Sequence, residues 1–342
     1  MCFPPANKMK RILLSHGSGG KMSHRLVQEV FLKAFRNPLL EQLNDQAVFE
    51  LPSSRLAFTT DSYVVNPIFF PGGDIGKLAV CGTINDLAVG GARPVYLSAA
   101  FIIEEGLALE ELTRVVESMA KTADDAGVQI VTGDTKVVER GKGDKLFINT
   151  AGIGVVKDGV ELSPSRITPG DAVIVSGSMG DHGIAVMALR EGMEMGIPVE
   201  SDCAPLHGLI GDLISPGDGV KAMRDPTRGG LATILNELAS QSGTCIVVEE
   251  EVIPVKDTVR GACEILGFDP LYLANEGKVV VVVSGEAADG VLERMRKNPL
   301  GAEARIIGTV VDEPKGHVLL KTCIGNTRVL DMLSGEQLPR IC

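Results

Sequence analysis

Four aspartates in the first half of the chain stand at positions where a carboxylate is awkward for packing: Asp45, Asp61, Asp86 and Asp134. Asp61 and Asp134 follow apolar runs that we predict to be strands, and Asp86 lies in an apolar run that we predict to be a helix. Because a buried unpaired carboxylate is costly, each must be exposed, paired or bound to a cation. Singly they are equally typical of turns, caps or a solvated helix face. Together they suit Mg²⁺ that holds nucleotide phosphates.

A Gly-rich segment, but no P-loop, is available for the phosphates themselves. The run from Gly72 to Leu78 is one residue short of the P-loop spacing and has Leu78 in place of the Ser or Thr that would bind Mg²⁺. The loop Gly17-Ser18-Gly19-Gly20-Lys21 could instead wrap phosphates with its backbone amides and the Lys21 ammonium. Such loops also serve as plain linkers.

The last residue of the sequence is a cysteine, in Pro339-Arg340-Ile341-Cys342. Reactivity rather than packing usually decides why a free cysteine matters, so this thiol is either incidental or a handle. Ser334-Gly335 and Pro339 interrupt any helix before it, and we predict a mobile tail over 329–342. The neighbouring terminal carboxylate should disfavour ionisation of the thiol.

The elements that must position these groups alternate along the chain. Predicted strands cover 56–60, 94–103, 128–132, 146–156, 172–176, 245–249, 278–283 and 305–311. Predicted helices cover 23–36, 75–89, 109–126, 231–240, 259–266 and 287–297. Alternation of this kind indicates an α/β or α+β fold.

A chain of 342 residues is long enough for two domains. Pro169-Gly170-Asp171 opens a new strand, and we place the boundary just before it. We predict an N-terminal tail and helix over 1–40, a nucleotide-binding and dimerisation domain over 41–160, a second α/β domain over 168–328, and the tail.

Composition excludes several classes of function. The net charge is -11 and there is no Lys/Arg-rich run and no Trp, which argues against nucleic-acid and membrane binding. The seven cysteines are scattered without a C-x-x-C pair, which argues against a zinc site, an iron–sulfur site and a secreted disulfide scaffold. Neither a signal-peptide core nor a membrane span is evident, so we predict a cytoplasmic protein.

Five segments of the chain carry a family resemblance: Asn44–Val48, Thr59–Ser62, Gly82–Leu87, Thr132–Glu139 and Asp225–Ala232. In this order they resemble the superfamily of aminoimidazole ribonucleotide synthetase, selenophosphate synthetase and thiamine-monophosphate kinase. The ending Pro-Arg-Ile-Cys is similar to that of the HypE family of hydrogenase maturation proteins. The superfamily usually has two adjacent aspartates in the first segment, where this chain has Asn44-Asp45.

The resemblance implies the two-domain aminoimidazole ribonucleotide synthetase-like fold. It implies a homodimer whose N-terminal sheets complete a β-barrel, with ATP and Mg²⁺ in a groove at that interface. The metal ligands would be the four aspartates, and Asn85, Gly133 and the loop from Gly17 to Lys21 would add contacts to the nucleotide.

The resemblance also implies an activity: the ATP-dependent dehydration of an S-carbamoyl group on Cys342 to a thiocyanate, the source of cyanide for [NiFe]-hydrogenase iron. Implied partners are the carbamoyltransferase HypF and the iron-carrying HypC–HypD complex. Glu276, just before the apolar run from Val279 to Val283, would be the base, and Lys136 would stabilise the phosphoryl group or the carbamoyl oxygen. By sequence alone Glu276 is more typical of a loop charge and Lys136 of a surface lysine, and the resemblance is what favours the catalytic roles.

Two other functions stay open. The chain could phosphorylate a small molecule, although Ser18-Gly19-Gly20-Lys21 lacks the thiol that selenophosphate synthetases place before such a Gly-Lys pair. It could also be a non-enzymatic scaffold whose tail docks into a partner. His182, in the Gly-rich segment from Gly177 to Gly183, is interpreted as a turn histidine with local hydrogen bonds rather than as a ligand contact.

Overall fold

The computed structural model describes residues 11–16, 21–42, 55–193, 199–215, 217–332 and 340–342. The predicted loop residues Gly17, Ser18, Gly19 and Gly20, and the predicted metal ligand Asp45, lie outside these ranges. The α-helices are α1 (Lys21–Leu26), α2 (Leu32–Phe35), α3 (Ile75–Val89), α4 (Leu109–Asp125), α5 (Asp181–Arg190), α6 (His207–Leu213), α7 (Gly230–Ser242), α8 (Asp257–Leu266) and α9 (Ala288–Lys297). A π-helical segment, Val27–Phe31, joins α1 to α2.

The strands are β1 (Leu56–Tyr63), β2 (Phe69–Phe70), β3 (Gly73–Asp74), β4 (Ala92–Glu104), β5 (Gln129–Val138), β6 (Leu146–Val156), β7 (Ala172–Val175), β8 (Val220–Arg224), β9 (Cys245–Glu249), β10 (Val280–Val283), β11 (Arg305–Val311), β12 (Val318–Lys321) and β13 (Thr327–Val329). The mixed α/β architecture expected from the sequence is confirmed. None of the helices in the described ranges is long and apolar enough to cross a bilayer.

The first sheet has the order β1-β6-β4-β5, with only β4 and β5 parallel among its pairs. One face is buried under α3 and α4, where Leu97, Phe101 and Ile148 pack. The opposite face exposes Phe58 by 71% and Ile102 by 46% in the single chain. We call this second surface the open face of the sheet.

Two strands of this sheet run further than the sequence predicts. β1 continues to Tyr63 and β5 to Val138, so Asp61 and Asp134 lie within strands rather than at their ends. For Asp134 the expectation failed because alternate polar side chains on a solvent-facing sheet surface do not end a strand. Asp134 is such a side chain, at the position of the open face opposite Ala100.

The second sheet has the order β13-β12-β9-β11-β7-β10-β8. Both of its faces are covered, α7 packing on one and α6 and α9 on the other. Every residue of β10 is therefore fully buried, which explains its uninterrupted run of valines.

The chain leaves this sheet at a fixed point. Leu330 is fully buried, its N–H donates to the Val318 carbonyl at 2.8 Å, and its carbonyl accepts from the Asn236 amide at 2.8 Å. The next described residues after Met332 are Arg340, Ile341 and Cys342, which lie against both the first sheet and α5.

Candidate active site

The last three residues bind to the chain segment that follows β1. The Val64 N–H donates to the Cys342 carbonyl oxygen at 3.2 Å, and the Asn66 N–H donates to the Arg340 carbonyl at 3.2 Å. Donors two residues apart that meet acceptors two residues apart make the hydrogen-bond pattern of an added β-strand. The tail that the sequence predicts to be mobile is thus docked at its end.

The Arg340 side chain holds the tail on its outer side. Its Nε donates to the Val64 carbonyl at 3.0 Å, its guanidinium pairs with the Asp144 carboxylate, and it lies over the Phe147 ring at 5.8 Å from the centroid. Arg190 of α5 donates to the Arg340 carbonyl at 2.7 Å. Both domains therefore contribute to the docking site.

Ile341 is buried, with 3% of its surface exposed, and belongs to the same hydrophobic cluster as Val186, Cys203 and Ala274. Its carbonyl is 2.9 Å from Nε2 of His182, and Nδ1 of that ring is 2.8 Å from the Ser201 hydroxyl. The interpretation of His182 as a turn histidine with local partners was wrong. The residue lies in α5, and its partners are distant in sequence.

Glu276 lies in a loop that is fixed by its neighbours. Asn275 donates through Nδ2 to the Pro226 and Leu273 carbonyls, at 3.1 and 2.9 Å, and accepts from the Gly180 N–H at 2.7 Å. The Glu276 N–H donates to the Asp202 carboxylate at 3.0 Å. These bonds orient the Glu276 side chain inward rather than toward solvent.

The Glu276 carboxyl is 2% exposed, and its Oε1 has no hydrogen-bond partner among the described residues. Burial, then the nearby Asp202, Asp225 and Asp61 carboxylates, raise its pKa well above the usual range. These surroundings favour the protonated form of the carboxyl over the ionised form.

Cys342 lies close enough to Glu276 to be affected by its charge. Burial raises the pKa of the Cys342 thiol first, the Glu276 carboxylate raises it further, and Arg228 opposes both. The sequence predicted that the thiol would resist ionisation, and the raised pKa agrees with that prediction. The cause differs, because burial and Glu276 raise the pKa, whereas the prediction relied on the terminal carboxylate. The free thiol is held in its protonated form.

Three carboxylates, on β1, on α3 and in the loop after β8, are close enough for their charges to interact: Asp61, Asp86 and Asp225. The Thr59 hydroxyl donates to Asp86 at 2.9 Å. Burial raises the pKa of Asp86, and repulsion from Asp61 adds to the rise. Burial, followed by repulsion from Asp86, raises the pKa of Asp225 to about 7.

Mutual repulsion among buried and partly buried carboxylates is the electrostatic setting in which a divalent cation is favoured. Within the described ranges no three His, Cys, Asp or Glu side chains already form a ligand set. This arrangement still fits Mg²⁺, which usually takes one or two carboxylates together with substrate phosphates and water.

Asp134 and Lys136 lie on the open face, away from Asp61 and Asp86. Lys136 Nζ is 2.9 Å from the Asp134 carboxylate, and their side chains are 65% and 63% exposed. That contact lowers the pKa of Asp134. One chain alone therefore does not bring Asp134 into the carboxylate group, nor Lys136 to Cys342.

Asn85 and Gly133 have structural roles of their own. The Asn85 side chain donates to the Ala204 and Glu276 carbonyls, at 3.2 and 3.3 Å, and accepts from the Leu206 N–H at 2.7 Å, so it joins α3 to the second domain. A Cβ at Gly133 would lie 2.2 Å from the Ala99 carbonyl, so β5 needs glycine there to approach β4.

Sequence reasoning assigned no role to Asp202, Asp225 or Arg228. Asp225 and Arg228 did carry a signal, since Gly229 and Gly230 follow them and both adopt positive φ, at 74° and 61°. A Cβ at Gly230 would meet the Leu273 carbonyl at 2.5 Å, so the turn is pressed against the Glu276 loop. Asp202 has no comparable signal around it.

Comparisons with known proteins agree over nearly the whole chain. Models of the AIR synthase related protein match residues 43–156 as its N-terminal domain and 168–321 as its C-terminal domain. Carbamoyl dehydratase HypE of Azotobacter vinelandii is 54% identical over 327 residues, which cover 96% of each chain.

Among solved structures, hydrogenase maturation protein HypE in complex with ATP superposes with a TM-score of 0.93 at 51% identity, covering 96% of this chain and 99% of the other. A HypE chain from a HypE–HypF complex superposes with a TM-score of 0.79 at 50% identity, covering 90% of this chain and 99% of the other.

Proposed function

This chain belongs to the AIR synthase related family and, within it, to the HypE carbamoyl dehydratases, and we propose that Cys342 carries the group that it dehydrates. The reaction is the ATP-dependent conversion of an S-carbamoyl group to a thiocyanate, for cyanide delivery in hydrogenase maturation. One observation carries the proposal: backbone hydrogen bonds dock Cys342 where the buried carboxyl of Glu276 is close enough to raise the pKa of its thiol. Membership of this family sets aside the small-molecule kinase and the scaffold.

The chemistry explains why phosphate is needed. An amide oxygen is a poor leaving group, so it must first become a phosphate ester. The carbamoyl oxygen attacks the γ-phosphorus, ADP leaves, and the nitrogen loses one proton. The C–O bond then breaks, inorganic phosphate leaves, and the second N–H proton is lost to give S–C≡N.

We assign the removal of both protons to Glu276, because its charge reaches the Cys342 thiol and it has an oxygen with no other partner among the described residues. The carboxyl passes the first proton to the departing phosphate before it accepts the second. A base must first be ionised, whereas the ligand-free surroundings of Glu276 favour its protonated form. Mg²⁺ held by Asp61, Asp86 and Asp225 would neutralise the triphosphate and the charges that raise the pKa of Glu276.

A homodimer through the open face is our second proposal. A face that exposes Leu56, Phe58 and Ile102, by 53%, 71% and 46%, favours association with a second copy. Since Asp134 and Lys136 lie on the same face, Asp134 can join a metal site, and Lys136 can act at the carbamoyl oxygen, only through this association.

The proposed partners act at different stages. HypF would load the carbamoyl group, for which Cys342 must leave the docked position, and HypC–HypD would accept the cyanide. A cytoplasmic setting fits the free thiols among the described cysteines: Cys81, Cys203, Cys245, Cys263, Cys323 and Cys342.

The test loads the full-length protein with HypF and carbamoyl phosphate, adds Mg-ATP, and follows each cysteine-containing peptide by mass spectrometry. We expect the Cys342 peptide to gain a carbamoyl group and then lose one water. Cys323→Ser, at an exposed cysteine, is the control that should behave like the wild type. A cyano adduct on another cysteine, with Cys342 unmodified, would refute the assignment.

A further inference from the structure

We propose that His182 is a positioning residue, which seats the reacting cysteine by holding the Ile341 carbonyl. This role rests on the proposed function, because it matters only if Cys342 is the carrier. His182 does not contact the thiol in this role. It fixes the peptide unit to which Cys342 is attached.

The histidine is held rigidly. Its side chain is fully buried, and its ring stands edge-on to Phe70 with 5.3 Å between centroids. Nδ1 lies 2.8 Å from the Ser201 hydroxyl, and Nε2 lies 2.9 Å from the Ile341 carbonyl. Ser201 is anchored in turn, since its N–H donates to the Pro71 carbonyl at 2.8 Å.

The Ile341 carbonyl fixes the tautomer of the neutral ring, because a carbonyl oxygen can only accept and Nε2 must therefore carry the ring proton. Nδ1 then accepts from the Ser201 hydroxyl, whose oxygen accepts in turn from the Cys203 N–H at 3.1 Å. The proton on Nε2 can be donated only to the Ile341 carbonyl, since no other acceptor for Nε2 lies among the described residues.

The contacts of the tail divide into two groups. Arg340 is held by Asn66, Arg190, Asp144 and the Val64 carbonyl, two residues before the thiol. The Ile341 carbonyl belongs to the peptide unit that contains the Cys342 nitrogen, so its bond to His182 sets the position of Cys342 directly. Loss of that bond should free the thiol while Arg340 stays docked.

The experiment uses the full-length protein without carbamoyl group or ATP, and measures amide exchange at Val64 and Asn66 together with alkylation of Cys342. The Val64 amide is bonded to Cys342 and the Asn66 amide to Arg340, so the two amides report on the two groups of contacts. His182→Phe should accelerate exchange at Val64 and alkylation of Cys342 by about tenfold, the scale of one buried hydrogen bond. Asn66 should change much less.

Matched variants separate positioning from packing. His182→Gln retains an N–H donor near the position of Nε2 and should restore slow exchange. Ser201→Ala removes the hydroxyl bonded to Nδ1, so the ring proton is confined less strongly to Nε2. Exchange at Val64 and alkylation of Cys342 should then be faster than in the wild type and slower than in His182→Phe. This variant also tests the proposal if His182→Phe does not fold. His317→Gln, at an exposed histidine bonded to the nearby Lys315 carbonyl, is the control.

Unchanged Val64 exchange and Cys342 alkylation in both His182→Phe and Ser201→Ala would overturn the proposal, as would equal acceleration at Val64 and Asn66. A slower single-turnover dehydration of the His182→Phe protein with unchanged docking would also overturn it. Amide exchange and alkylation are measured without the dehydration reaction, so they test the role of His182 independently of the proposed function. If the dehydratase assignment is wrong, the wild-type protein will dock its tail but form no thiocyanate.

Discussion

Replacing Asp225 by Asn should stabilise the ligand-free protein, because a neutral amide of the same shape removes a buried carboxylate. Burial and repulsion from Asp86 and Asp61 raise the pKa of Asp225 from 3.8 to about 7, while Arg224 opposes the rise. Between about pH 4 and pH 7, Asp225 is therefore protonated in the folded protein and ionised in the unfolded chain. Across this pH range the contribution of Asp225 makes the wild type less stable as pH rises. The variant has no ionisable group at this position, so it lacks this pH dependence.

The size of the effect follows from the two pKa values. At 1.36 kcal/mol for each tenfold change in proton affinity, a rise from 3.8 to about 7 corresponds to a cost of about 4 kcal/mol once both states are ionised. At pH 8 the variant should therefore be more stable by up to about 4 kcal/mol, and at pH 5 by about 1.5 kcal/mol.

Urea unfolding of both proteins at pH 5 and pH 8, without Mg²⁺ or nucleotide, measures this difference through the transition midpoints. Asp158→Asn, at an exposed turn, is the control and should show no such pH-dependent gain. Added Mg-ATP should then stabilise the wild type more than Asp225→Asn, which has lost a carboxylate facing the cation. A variant that is no more stable than the wild type at pH 8 would refute the electrostatic reasoning.

Three further outcomes are expected. Asp86→Ala should lose Mg-ATP binding or turnover while still folding, as isothermal titration and circular dichroism would show; wild-type ATP hydrolysis on carbamoylated protein would exclude it as a required ligand. Phe58→Asp should make the proposed dimer dissociate in sedimentation experiments, and a wild-type monomer at micromolar concentration with Mg-ATP would contradict the dimer. Arg340→Ala should accelerate amide exchange at Asn66 by about tenfold through loss of its ion pair and hydrogen bonds; unchanged exchange there would show that these contacts do not hold the tail.

Most of the regular elements could be predicted because their apolar periodicity is strong. α3, β6, β9 and β11 have the predicted bounds. α5 was missed because Gly177–Gly183 reads as a turn, whereas a helix starts at Asp181 after Gly180 adopts positive φ of 89°. Short elements such as β8 and β13 have too few residues to show a period.

The site was only partly predictable, for a different reason. Motifs drew attention to Asp61, Asp86 and Glu276, since carboxylates beside apolar runs are conspicuous in sequence. The contact between His182 and Ile341 spans 159 residues and depends on how the two domains pack. Strand register decides whether the Asp134 side chain lies on the open face or on the face covered by α3 and α4. The sequence alone did not show that register.

The fixed position of Leu330 has a kinetic consequence. Ten residues after this buried residue the chain is bound again at Arg340. The group to be dehydrated is therefore covalently attached to the same chain that forms the active site. Short linkers of this kind give effective concentrations in the millimolar range, regardless of how dilute the protein is. Dehydration should then be first order in loaded protein, with no Michaelis constant for the carbamoyl group. A free peptide ending in Arg-Ile-Cys would have to approach millimolar concentration to compete.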